Sequence, residues 1–368
     1  MNKKVIILLV TIFLIVLIGC LAYISIKSYK EKGISKVDIS VTLEVSYADV
    51  STNLADECDQ SNDIVDHTLE VLRRRLDLYD ECKYTIQRLQ GNRIQVELTG
   101  VKASYPYSAN YVIDLLRTSG KLEFWKVYND DDMVNEKSII QRFYEADVQL
   151  DKEMHAKLSA EYGFADPEEE SEDDDCLGAI MSKSVAESDG LVIGFFKEMD
   201  IDGINSMLPE LQRILDDQSV AFYWGIPDKH NNNAIPLIPL KRKNASIGPE
   251  LSSETVIDGH VVRSAKQKEY KDGLVVVAVS MEDPAAAEWR KITREAAEDN
   301  SKITYIAIVL DNVVYSYPRI CGEISNGRAE ISGNYTIEGA KVIATVLNSG
   351  TLDAKVEVVK YDEKPHVE

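Results

Sequence analysis

Cysteine and histidine are scarce: the 368-residue chain holds five of each, with no Cys-x-x-Cys pair and with the histidines widely spaced. No zinc-like ligand cluster can be assembled from such spacing, so neither a metal nor a metal cofactor is expected. Other chemical signatures are missing too. There is no Gly-x-Ser-x-Gly elbow, no His-Glu-x-x-His pair, no phosphate loop ending in Gly-Lys-Ser or Gly-Lys-Thr, and no Gly-x-Gly-x-x-Gly after a predicted strand. No catalytic residues can be named, and an enzyme is not expected. Positive charge is also short, with 41 Lys and Arg against 62 Asp and Glu, a formal net charge of −21. Nucleic-acid affinity comes largely from neutralising phosphates with basic side chains, so this balance excludes a nucleic-acid partner.

Long apolar runs are absent but for one. Val5–Ile26 is an uncharged stretch of 22 residues, flanked by Lys3 and Lys4 on one side and Lys27, Lys30 and Lys32 on the other. As a helix it is about 33 Å long, enough to cross the hydrocarbon core of a bilayer. The reading is a cytoplasmic N-terminus (residues 1–4), one membrane helix (5–26) and a single long part on one side of the membrane. The lysines nearly balance across the run, so the positive-inside rule gives no clear orientation. Leu17-Ile18-Gly19-Cys20 resembles a lipobox. Acylation of Cys20 after cleavage is the alternative to a spanning helix, although Leu21–Ile24 prolong the apolar stretch where a lipoprotein would begin a polar tether.

Beyond the run, hydrophobic periodicity describes an α+β protein. Ile39–Val45 alternates as a strand. Val65, Leu69, Leu72, Leu76 and Tyr79 then recur at helical spacing behind Asp63 as N-cap, with Arg73, Arg74 and Arg75 placed on the solvated side. Tyr84–Arg88 and Arg93–Leu98 form a hairpin around Gly91-Asn92, with Ile94, Val96 and Leu98 on one face. A helix over Ser108–Ser119, capped by Gly120, leads to the strand Lys121–Val127, which gives a β-α-β-β-α-β, ferredoxin-like order.

Residues 128–190 show least regularity, and Asp166–Asp175 holds eight acidic residues in ten positions. That run reads as a solvated loop, with calcium binding as the minor alternative. Strands at Leu191–Phe196 and Val220–Ile226 enclose a helix over Ile204–Leu215. The last third repeats the earlier order. A strand at Leu274–Met281 is followed by a helix opened by Asp283-Pro284, with Ala285, Trp289, Ile292 and Ala296 on one face. Strands Ile306–Leu310 and Val313–Ser316 meet at Asp311-Asn312, a pair suited to positive φ. A helix through Ile337, Ala340, Ala344 and Leu347 ends at Gly350, and Lys355–Val359 closes a second β-α-β-β-α-β set. Phe222-Tyr223-Trp224 reads mainly as packing, with contact to unfolded apolar segments as the rival role. Cys58 and Cys82 flank the first helix and either pair in an oxidising compartment or stay as buried thiols.

Three blocks in the last third carry a family resemblance: Ile306–Arg319, Glu330–Ala340 and Val346–Gly350. They resemble the first large periplasmic domain of SecD, the accessory membrane component of the Sec preprotein translocase. Glu70–Asp77, Ile86–Arg88, Arg93–Val101 and Leu122–Trp125 resemble the base of the same domain. The resemblance implies a base subdomain (27–127), a variable insert with the acidic loop (128–250), and a head subdomain with return strand (251–368). It further implies a bacterial inner-membrane protein with its large domain in the periplasm, whose partners are Sec translocase subunits, exported unfolded polypeptides and the membrane. The alternative is a regulatory or structural paralogue that binds full-length SecDF and has no client. Two departures qualify the likeness. The family's five further membrane helices, with their proton-linked aspartates, have no counterpart in this sequence. Its Asp-Leu-x-Gly-Gly segment is replaced by Lys36–Thr42, which retains Asp38 but not the glycines.

Overall fold

The computed structural model describes residues 35–46, 57–103, 108–129, 132–134, 136–162, 190–228, 231–242, 261–299, 303–333 and 335–367. The apolar run at 5–26, Cys20 and the acidic run at 166–175 lie outside them, as does the side chain of Cys58. Among the described residues no helix is long and apolar enough to cross a membrane. The protein is a mixed α/β chain that separates into two compact units, one built from residues up to Thr118 together with those from Leu352 onward, the other from Ser119–Thr351.

The first unit holds β1 (Ser35–Ser46), α1 (Glu57–Tyr79), β2 (Lys83–Arg88), β3 (Arg93–Ala103), α2 (Ser108–Arg117) and β13 (Lys355–Pro365). Its four strands form one antiparallel sheet in the order β13-β1-β3-β2. Alternation explains the sheet's buried face: Val37, Ile39, Val41, Leu43 and Val45 of β1, with Ile94, Val96 and Leu98 of β3, are buried. The expected helix faces are buried as well, Val65, Leu69, Leu72, Leu76 and Tyr79 on α1 and Val112, Leu115 and Leu116 on α2. Asp63 is not a cap, because α1 already begins at Glu57.

Two expectations are corrected in this unit. Lys121–Val127 does not supply the fourth strand; β13 does, pairing along β1 from Val37 opposite Pro365 to Ser46 opposite Lys355. Alternation identifies a strand but not its partner. Nor is Arg75 solvated. Its side chain is fully buried, and its guanidinium donates to the carbonyls of Leu115 (3.0 Å) and Thr118 at the C-terminal end of α2. Those carbonyls have no intrahelical donor and carry the negative end of the helix dipole, so a buried cation there is matched.

The second unit contains β4 (Leu122–Lys126), α3 (Ile139–Tyr162), β5 (Gly194–Phe196), α4 (Ile201–Leu215), β6 (Val220–Trp224) and β7 (Ile235–Lys241), followed by β8 (Val262–Glu269), β9 (Val275–Met281), α5 (Asp283–Glu298), β10 (Ile306–Leu310), β11 (Val313–Ser316), β12 (Arg328–Ser332) and α6 (Ile337–Ser349). Three small sheets result, in the orders β11-β10-β4, β12-β9-β8 and β5-β7-β6. The second β-α-β-β-α-β set therefore does not form one sheet. Strand β9 pairs with β8 and β12, β10 pairs with β11 and β4, and the last strand belongs to the first unit.

A long helix, α3, occupies the stretch expected to be irregular. Its start is a capping box: the Ser138 N–H donates to Gln141 Oε1 (3.0 Å) and the Gln141 N–H to Ser138 Oγ (3.4 Å). Ile139, Ile140, Phe143, Ala146 and Leu150 then bury one face in a cluster shared with Ile204, Leu211 and Leu215 of α4. Helix α5 opens one residue earlier than expected, with Glu282 as N-cap and Pro284 in the first turn. Asp311 and Asn312 adopt φ of 51° and 65°, as the hairpin at that pair requires.

Candidate functional site

Helix α5 places Trp289 with its indole buried against Phe124 of β4, ring centroids 5.0 Å apart. The segment after β11 wraps around that helix and is held by the backbone. Ile306 N–H donates to Pro318 O (3.1 Å), Ile320 N–H to Thr304 O (2.9 Å), and Ile324 N–H to Thr293 Oγ1 (2.9 Å). Thr293 in turn donates to Trp289 O (2.8 Å), so one buried hydroxyl links the helix to the segment. Arg290 and Glu323 form an ion pair across the same junction.

Between this segment, β10 and β12 lies an open groove of about 720 Å³. Its apolar lining comes from Trp289, Ile308, Pro318, Ile320, Ile324 and Ala329, with Arg319, Arg328, Glu323 and Glu330 also bordering it. That volume is in the range of pockets that take a ligand or a few side chains. The Trp289 Nε1–H is buried and has no hydrogen-bond partner among the described residues. A buried donor left unmade costs about 1–3 kcal/mol. Cys321, a free and exposed thiol, also lines the groove. The arrangement offers apolar contact and charges of both signs. Its shape and lining suit contact with a flexible apolar segment.

Residues 239–354 match the family model for the SecDF P1 head subdomain, and every residue lining the groove falls within that span. The chain is similar to SecD and SecDF proteins, most specifically over the head span. The protein translocase subunit SecD of Rhodothermus marinus is 28% identical over 334 residues, covering 88% of this chain and 50% of the relative. SecD of Magnetococcus marinus is 23% identical over 297 residues, covering 80% of this chain and 38% of the relative. The chain thus spans half or less of the length of these curated relatives. A solved SecDF structure, described as a membrane component that enhances protein export, aligns at 18% identity and a TM-score of 0.43 over 87% of this chain and 98% of that one.

Other residues singled out in the sequence fall elsewhere. Phe222, Tyr223 and Trp224 are half-buried packing groups: Phe222 meets Phe143 edge-on at 5.0 Å, Tyr223 meets Trp125 at 5.4 Å, and Trp224 meets Phe196 at 5.7 Å while donating to Asn205 Oδ1 (2.8 Å). Cys82 is a free, half-buried thiol that burial pushes up to about 11, so it is poorly ionised near neutral pH. Tyr317 is half-buried and lies in a second, smaller depression beside Tyr315, Phe195 and Pro236. The two SecD-like blocks flank the groove, and Ile320–Ala329 between them carries no motif. The signal available was the run of isolated apolar residues Ile320 and Ile324 among Gly, Asn and Arg, which has no strand or helix period.

Proposed function

We propose that this chain is a membrane-anchored SecD-type component that assists Sec-dependent protein export by binding the emerging polypeptide through the groove between α5, β10 and β12. The observation that carries the reading is the coincidence of the groove with residues 239–354, the P1 head match. An unfolded chain in transit presents apolar side chains, and the groove offers an apolar lining to receive them. In this reading the first unit is the ferredoxin-like base subdomain, Val5–Ile26 anchors the chain in the bacterial inner membrane, and the second unit stands in the periplasm. The Sec translocase subunits are its other partners.

The test is in-cell photo-crosslinking from Arg319, exposed at the groove, with adducts identified by mass spectrometry. Adducts to many secreted precursors are expected, and Ala329→Trp, which fills the groove, is expected to cut them about tenfold. Adducts confined to Sec subunits, unchanged by Ala329→Trp, would overturn client binding in favour of a regulatory paralogue.

A further inference from the structure

The charges around the groove are not equivalent. Of its two acidic residues, Glu323 is engaged by Arg290 of α5, and Glu330 of β12 by Lys268 Nζ (2.8 Å) and the Tyr270 hydroxyl (2.8 Å). Lys268, and after it Tyr270, hold the Glu330 carboxyl below the usual carboxylate range, so it stays ionised within its pair. Both acids are thereby matched by neighbours. The two basic residues at the groove, Arg319 and Arg328, are exposed, and among the described residues neither guanidinium has an ion-pair or hydrogen-bond partner. Their backbones are nonetheless fixed, Arg319 by a bridge to Tyr305 and Arg328 by its place opposite Ser280 of β9. A chain with a net charge of −21 thus presents uncommitted positive charge beside an apolar surface.

We propose that Arg319 and Arg328 make the groove select apolar polypeptide segments flanked by Asp or Glu over the same segments flanked by Lys or Arg. This rests on the reading of the groove as a polypeptide site and names the class of segment it takes. A guanidinium is weakly hydrated and presents a planar fork that matches a carboxylate, so it suits the border of an apolar surface. A pair made there is less screened than one in open water. A basic segment meets like charge from both arginines and finds no spare carboxylate, because Glu323 and Glu330 already hold cations of this chain. At a distance the net negative charge of the chain acts against an acidic segment. At physiological salt, however, the screening length is about 8 Å, so the charges in contact decide.

The test is fluorescence anisotropy of the full chain with three short labelled peptides that share one apolar core of Leu and Phe and differ only in their flanks, Asp, Asn or Lys. At about 0.15 M salt the Asp peptide is expected to bind about tenfold more tightly than the Lys peptide, with the Asn peptide between them, a size suited to two rim pairs. Arg319→Gln combined with Arg328→Gln should narrow that spread to about twofold, weakening the Asp peptide and strengthening the Lys peptide. Tighter binding of the Lys peptide is a gain that misfolding could not produce. Equal affinities for the three peptides, all lost in Ala329→Trp, would overturn the charge preference and leave the groove as a polypeptide site. A spread unchanged in the double variant would overturn the assignment to these arginines. No binding, or binding indifferent to Ala329→Trp, would overturn the groove reading and the preference together.

Discussion

Asp147 lies in the apolar face of α3, only 4% exposed, among Phe143, Ala146 and Leu150. Burial, and then the charge of Asp151 one turn along, push its carboxyl up to about 6. An unfolded chain would titrate the same group near ~3.9. Between those values the folded state holds the extra proton, so stability falls as pH rises from about 4 to about 6 and is level above. Asp147→Asn removes the penalty. It should stabilise the chain by about 2 kcal/mol at pH 7 and by much less at pH 4, read as the difference between urea midpoints at the two values. An equal effect at both would mean that the amide packs better and that ionisation plays no part. Arg75 is the contrasting case, a buried charge that is fully matched. Its triplet neighbours Arg73 and Arg74 are exposed, and nothing in the sequence distinguishes the three except the position of Arg75 one residue before Leu76 on the apolar stripe.

At the scale of elements, the Asp311-Asn312 turn does more than reverse the chain. The Asp311 carboxylate accepts from Ser119 Oγ (2.5 Å), Gly120 N–H (3.0 Å) and Lys121 N–H (2.8 Å), and the Asp311 N–H donates to Lys121 O (3.1 Å). The turn between β10 and β11 thereby fixes the residues that lead into β4, the neighbour of β10. Asp311→Ala leaves those donors unmade and puts a less suitable residue at φ of 51°. It should cost about 2–3 kcal/mol by thermal or urea unfolding, whereas Asn312→Gly, at φ of 65°, should change stability by less than about 1 kcal/mol. Comparable losses from the two would assign the role to backbone conformation and not to the carboxylate. The turn was legible in the sequence because Asp-Asn between two apolar runs is a local signal, and so were the buried faces of α1, α2 and α5. Helix α3 was legible in principle from Ser138-x-x-Gln141, but its charged solvent face masked the period. The groove was not legible, because it forms where segments of different sheets meet and no local pattern encodes that meeting.

At the scale of the whole molecule, the sheet of the first unit is closed by a strand more than 300 positions along the chain from its partner, since Val37 faces Pro365. The second unit is inserted between α2 and β13. Closing a loop of that length is entropically expensive for an unfolded chain, but an independently folded insert shortens the effective loop to the distance between its own two ends. The second unit should therefore fold first and the first unit after it. Removing residues 352–368 tests this asymmetry. Without β13, β1 becomes an edge strand with a row of unpaired backbone groups, and the buried side chains of Leu352, Ala354 and Val356 are lost from the core. The truncated chain should lose exchange protection throughout 35–118 while keeping it in 275–332, and limited proteolysis should leave a stable fragment close to 119–351. Loss of protection in both regions together would mean that the two units share one cooperative transition and that neither folds ahead of the other.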